Sequence, residues 1–181
     1  LLQPGVQDTF QAQFCGATLI DPQWVLTAGH CLEDATLPDV LLGTTRLDGS
    51  GQRMASDAVF IPDDYADPDF GANDVGLVHL PQPAAEPTAR LAYSGLEILE
   101  TPGLPATVTG WGGVQGDEQN QTFPVDLQEG DVPIISDAEC SAALEPYDDG
   151  LVQPDEQVCA GIGRESSSQE EADACRGDSG G

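Results

Sequence analysis

Three short stretches carry side chains whose types and spacing could do chemistry. In TAGHC, residues 27–31, a histidine closes an apolar strand-like run beside a cysteine. So placed it is held rigidly, as a side chain acting as a base would need to be. In NDVGLVHL, residues 73–80, Asp74 opens an otherwise apolar run. In GDSGG, residues 177–181, glycines crowd both sides of Ser179, permitting tight turns that leave backbone N–H groups facing a ligand. Taken singly, each has an ordinary structural explanation: a core histidine, a strand cap, a loop serine. Together they supply what nucleophilic catalysis by a hydroxyl requires. A serine is a weak nucleophile until a base takes its proton, and the base needs a carboxylate to fix its tautomer and stabilise the imidazolium. The developing oxyanion needs donors already in place. His30, Asp74, Ser179 and the N–H groups of Gly177 and Ser179 provide each part.

The elements that must position these residues read as short strands. β-Prone runs occur at 17–20, 24–28, 40–44, 58–61, 74–80, 106–111, 131–135 and 157–161, separated by turn residues at intervals typical of all-β sandwiches and barrels. The clear helix signal is 136–144, where Ser136 and Glu139 have capping-box spacing. Residues 81–105 show no clean period and read as a connection between two halves, with a boundary near residue 98. Residues 166–173 read as a polar surface loop.

Composition narrows the setting. There are 32 Asp and Glu against five Arg and no Lys, a net charge of −27. Such a surface repels phosphate, which excludes nucleic acid as a partner. It fits adaptation to high salt, and equally an acidic secreted protein. No apolar run is long enough to span a bilayer, so no membrane role is expected. Five cysteines without a CxxC pair, and two histidines not spaced as ligands, suit an oxidising compartment better than a metal site. Cys15 and Cys31 could close one loop, and Cys140 and Cys159 another, each stabilising by roughly 3 kcal/mol. Cys175 is left over.

TAGHC, NDVGLVHL, TGWG at 109–112 and GDSGG, in this order and spacing, resemble the trypsin/chymotrypsin-like serine proteases, and the likeness runs from FCGATLI at 14–20 to Gly181. The resemblance implies an all-β fold of two six-stranded antiparallel barrels with the second incomplete. Residues 1–98 would form the first, with His30 and Asp74, and residues 99–181 the second, with Ser179. It implies a catalytic triad of His30, Asp74 and Ser179, an oxyanion hole from Gly177 and Ser179, and disulfides Cys15–Cys31 and Cys140–Cys159. Cys175 would pair with a cysteine beyond Gly181. Asp178 fits the aspartate that receives the new amino terminus after zymogen activation. Both ends of the chain are therefore expected to be cut, leaving a piece inactive by itself.

Asp173, six residues before Ser179, occupies the place of the pocket-floor aspartate in trypsin-like members, which pairs with a substrate Arg or Lys; by chance it would be one more acid in an acidic chain. Arg176 would lie at the pocket rim, favouring acidic substrate groups, or be a solvated loop arginine. Among departures, Gly29 replaces the usual alanine before the histidine, and Gly76 replaces a bulkier strand residue, leaving less packing. The loop 43–54 lacks the first acidic ligand of the calcium loop, so no metal or cofactor is expected. His79 reads as a strand residue with no catalytic part. The expected activity is a secreted, monomeric endopeptidase cleaving after Arg or Lys, with proteins, peptides and proteinaceous inhibitors as partners. The competing readings are a non-catalytic homologue used as a binding module, a protease of other specificity, and an acidic structural or cation-binding domain.

Overall fold

The computed structural model describes residues 1–34, 36–65, 73–92, 97–114, 122–144, 157–161 and 176–181. Asp173, Cys175 and the loop 166–173 lie outside the described residues. By internal contacts the chain divides into two units. One contains Leu1–Leu91, Thr109–Gln128 and Ala174–Gly181; the other contains Ala92–Val108 and Glu129–Asp173.

In the first unit, β1 (Thr18–Asp21), β2 (Trp24–Thr27), β5 (Ala58–Phe60) and β6 (Gly76–His79) form a sheet in the order β1-β2-β6-β5, every described pairing antiparallel. β3 (Asp39–Leu42) and β4 (Gln52–Ala55) form a separate antiparallel hairpin. β2 alternates half-buried Trp24 and Leu26 with buried Val25 and Thr27, and β6 alternates in the complementary sense. One face of this sheet therefore feeds a core of Leu19, Val25, Leu32, Val40, Val78 and Leu80. The Cys15–Cys31 disulfide borders that core, closing a loop whose cysteines are 16 residues apart. In the family that resemblance suggests, these six strands would close into a barrel. Here the described strands stay open. Among the described residues, the β-bridge that links β3 outside its hairpin is Leu2 to Asp39, Leu2 bridging in turn to Gln13, and a register shift interrupts β1 between Leu19 and Asp21.

The second unit contains most of a three-stranded sheet β7-β8-β9, comprising Pro105–Gly110, Gln128–Ile135 and Cys159–Ala160. It also holds helix α2, Asp137–Leu144. The capping box expected at its start is present. The Ser136 hydroxyl accepts from the Glu139 N–H at 3.3 Å, and Glu139 Oε2 accepts from the Ser136 N–H at 3.0 Å. The Cys140–Cys159 disulfide ties α2 to β9.

Each of the eight β-prone runs overlaps a strand. Residues 52–54, read as loop, instead form most of β4. QRMA lacks the β-branched alternation that marks a strand, and it is fixed by pairing with β3. Helix α1, Thr9–Ala12, was not expected either. It is four residues long and begins at Asp8, whose carboxylate accepts from the Phe10 and Gln11 N–H groups. The expected looseness at Gly76 is corrected: a Cβ there would come 2.6 Å from Leu32 Cδ1, so the leucine already fills the space. Among the described residues no helix is long and apolar enough to cross a membrane.

Candidate active site

His30 sits in a 3-10 helix, Gly29–Leu32, that turns the chain directly after β2. Asp74 lies two residues before β6. Because β2 and β6 pair with Thr27 opposite Gly76, both residues emerge at the same end of the sheet. The Asp74 carboxylate grips His30 twice. Oδ2 stands 2.8 Å from ring Nδ1, and Oδ1 accepts the His30 backbone N–H at 2.9 Å. Both side chains are about one-third exposed, at 36% each. The bidentate hold places the Nδ1 proton toward the carboxylate, leaving Nε2 as the basic nitrogen. Gly29 suits this approach, since a Cβ there would lie 3.2 Å from Asp74 Oδ1 and from the Val75 carbonyl oxygen. Tyr65 packs beside Gly29 and donates its hydroxyl to Glu33 Oε1 at 2.6 Å.

Ser179 occupies a tight turn, Asp178 to Gly181, closed by the Gly181 N–H on the Asp178 carbonyl at 3.0 Å. Gly180, in the third position, has φ +81°, as a type II turn demands. The turn is pressed against the amino-terminal half of the unit. A Cβ on Gly16 would come 2.6 Å from Gly181 Cα, and the Gly16 N–H bonds the Ser179 carbonyl at 2.7 Å. Thr27, the first residue of the histidine motif, donates to the Gly16 carbonyl at 2.9 Å and blocks any side chain at Gly180. The residue pattern that marks the serine motif is thus the pattern that lets it dock beside the histidine motif.

His30 and Ser179 line one cleft of about 300 Å³ together with Glu33, Asp34, Arg176 and Gly177. Among the described residues no hydrogen bond joins the two side chains, and hydrogen bonds of this kind commonly tighten only with substrate bound. His30 Nε2 lies 3.7 Å from Cys31 Sγ. That sulfur is bonded to Cys15, so neither cysteine offers a thiolate for a metal in the cluster Cys15, His30, Cys31.

Asp178 turns away from this cleft. Its Oδ1 accepts the Gly112 N–H at 2.6 Å, and its carboxyl group occupies the space that side chains at Gly110 and Gly112 would need. The glycines of TGWG are therefore explained by the aspartate next to the serine. Arg176 is exposed, with its carbonyl bonded by the Gly113 N–H at 3.0 Å. Sequence reading missed Gln13, whose side-chain amide donates to the Gly177 carbonyl at 2.9 Å across 164 residues. Nothing in FQAQF announces that contact.

Residues 3–181 match a family model described as Trypsin. Among curated proteins, the chain is 34% identical to a brachyurin of Leptuca pugilator over 171 residues, 93% of this chain and 69% of that protein. It is 32% identical to a trypsin of Sarcophaga bullata over 182 residues, 99% of this chain and 67% of that protein. Among solved structures it superposes on the Vibrio cholerae VesB protease with a TM-score of 0.72 at 30% identity, covering 88% of this chain and 47% of that one.

Proposed function

This chain belongs to the trypsin family of serine proteases, and from that premise we propose that it is the peptidase part of a secreted endopeptidase cleaving after Arg or Lys. The observation that carries the reading is the two-point hold of Asp74 on His30, with Ser179 on the wall of the same cleft. In the proposed reaction His30 Nε2 takes the Ser179 hydroxyl proton as Oγ attacks the scissile carbonyl carbon. The Gly177 and Ser179 N–H groups receive the oxyanion. The imidazolium, stabilised by Asp74, returns the proton to the leaving amine, and an acyl-enzyme remains on Ser179. Water, deprotonated by the same His30, then hydrolyses the ester.

Preference for Arg or Lys is inferred from Asp173, which lies outside the described residues. By its spacing before Ser179 it matches the pocket-floor aspartate of trypsin-like members, where a carboxylate would pair with a cationic side chain. Arg176 at the rim of the cleft would favour acidic groups on the substrate near the cleaved bond. Asp178, already seated against Gly110 and Gly112, is the proposed acceptor for the amino terminus made by activation cleavage. The two-barrel division, residues 1–98 and 99–181, belongs to the same proposal. Secretion is supported by the two disulfides, which persist in oxidising compartments. Salt adaptation is proposed from the charge of −27.

The test compares hydrolysis, by the complete protein, of matched peptide amides with Arg, Lys, Phe or Ala before the cleaved bond. Ser179→Ala is the control. Cleavage after Arg and Lys that vanishes in the control is expected. Cleavage after Phe or Ala instead would remove Asp173 from its assigned role, and absence of serine-dependent cleavage would reject the triad.

A further inference from the structure

The oxyanion hole proposed above consists of two backbone N–H groups, and what orients them can be read from the carbonyls around them. A trans peptide is planar, so fixing its C=O fixes its N–H in the opposite direction. The Gly177 N–H shares a peptide plane with the Arg176 carbonyl, which is held by the Gly113 N–H at 3.0 Å. The Ser179 N–H shares its plane with the Asp178 carbonyl, held by the Gly181 N–H at 3.0 Å. Between them lies the peptide joining Gly177 to Asp178. Its carbonyl accepts from Gln13 Nε2 at 2.9 Å. Among the described residues, neither the Gly177 nor the Ser179 N–H is bonded to another group of the protein.

The middle peptide sets the angle between the two donors, and it is the one whose tether is a side chain. It also follows Gly177, at φ +99°, in a region open to glycine and closed to most other residues. Glycine has little intrinsic preference for one sign of φ over the other, so the chain itself does not hold this peptide in place. Gln13 is well anchored for the task. Its own N–H caps α1 on the Thr9 carbonyl at 3.2 Å, and its backbone bridges to Leu2. Its side chain is half-buried beside Phe14 and Trp111 in a neighbouring cavity of about 370 Å³ that also reaches Gly177.

We propose that Gln13 is a positioning residue for catalysis: its amide clamps the Gly177–Asp178 peptide and thereby aims the Gly177 and Ser179 N–H groups at the oxyanion. The inference rests on the protease reading above and assigns a part of that site to a residue outside its motifs. Its consequence falls on the transition state, because a misaimed donor costs more against the oxyanion than against a neutral carbonyl.

Gln13→Met keeps the length and packing of the side chain while deleting the donor. In the complete protein, kcat on an Arg amide substrate is expected to fall about 10- to 100-fold with KM within about twofold, below the 10²–10³ typical of removing a donor outright. Affinity for a peptide aldehyde, whose hemiacetal with Ser179 places an oxyanion in the hole, should fall in step with kcat/KM. Gln13→Glu should be impaired at neutral pH. Its kcat relative to wild type should rise as pH falls toward the carboxyl range near ~4.3, where the protonated acid regains a donor. A role in stability alone would lower the melting temperature without these signatures. Wild-type hydrolysis with unchanged kcat and aldehyde affinity in Gln13→Met would overturn this inference alone. Absence of serine-dependent hydrolysis in the wild type would overturn the protease reading, and this inference with it.

Discussion

β6 carries a His–Asp pair at each end. At its start Asp74 holds His30 Nδ1 at 2.8 Å; at its finish His79 Nδ1 lies 2.6 Å from Asp57 Oδ1. The second pair is no looser than the first. It too is fixed through the backbone, since the Asp57 N–H donates to the His79 carbonyl at 3.1 Å. What differs is the other side of each imidazole. The His30 ring opens into a cleft shared with Ser179. The His79 ring stands edge-on to Trp24 at 4.6 Å, and Trp24 in turn meets Phe60 at 5.5 Å. A carboxylate and an imidazole in contact therefore do not make a general base. In the proposed reaction the third partner, Ser179, makes that difference, and it lies far from both in the sequence.

The sharpest way to break the comparison is to remove the same charge from both pairs. Asp74→Asn is expected to lower kcat by about 10⁴, the size of effect seen when such an aspartate is replaced and the histidine is held in the wrong tautomer. Asp57→Asn should leave kcat/KM within about twofold. Both variants should fold, because asparagine preserves volume and one acceptor. Steady-state kinetics normalised to titrated active sites would decide it, and comparable losses at the two positions would sink the distinction.

The next test concerns what the second pair is for. Trp24→Ala removes the ring that covers His79 and touches Phe60. Loss of this half-buried aromatic cluster should destabilise the protein by about 2–3 kcal/mol, below the cost for a fully buried tryptophan. Activity per titrated site at 25 °C should stay the same. Denaturant unfolding followed in parallel with active-site titration separates the two effects. A large loss of turnover in folded Trp24→Ala would show that the far end of β6 reaches the catalytic end.

Salt distinguishes the local pairs from the global charge. At a net charge of −27, screening of carboxylate repulsion should raise the melting temperature between low and molar salt. Two of the five arginines act against this background as structural ties. Arg53 binds Asp39 at 2.7 Å and the carbonyls of Val6 and Gln3 at 2.6 and 2.8 Å, and Arg46 bridges Asp48 and Asp126. A melting temperature flat in salt would reject the salt-adaptation reading.

How much of this was legible in the sequence depended on how local the cause was. Strand β2 announces itself because apolar and β-branched residues alternate within four positions. The α2 cap is legible because Ser136 and Glu139 contact each other three residues apart. The His30, Asp74 and Ser179 motifs could be found because each is a short contiguous run of residues, although what their glycines pack against lies far off in the sequence. Strand β4 could not be, since a partner strand specifies QRMA. Gln13 was hidden for the same reason at longer range: a glutamine becomes a clamp only when folding brings a carbonyl to it. The reduced packing expected at Gly76 failed likewise, because Leu32 comes from another element.

The smallest effect sharpens the lesson about carboxylates. Glu139 at the α2 cap is a third acid whose partner defines it. Its pKa is lowered, first by the Ser136 hydroxyl and then by the Ser136 N–H, both donating to the ionised form. A folded-state pKa below the unfolded value means the cap contributes stability above the ordinary glutamate range of about 4.3, and that contribution is lost as pH falls through the lowered value. The group is fully exposed, so the effect is slight. Glu139→Gln should keep the cap, because an amide oxygen still accepts from the same N–H, and should only flatten the acid limb of a stability–pH curve. The same kind of swap is thus severe at Asp74 and nearly silent at Glu139. At Glu139 the amide still offers the N–H an acceptor, only a weaker one than the ionised carboxylate, whereas at Asp74 the swap would present a donor where the proposed base needs an acceptor. If Glu139→Gln instead destabilised the protein equally at pH 7 and pH 3, the ionised carboxylate would be ruled out as the source of the cap's stability, and the swap would have disturbed the hydrogen-bonded cap itself.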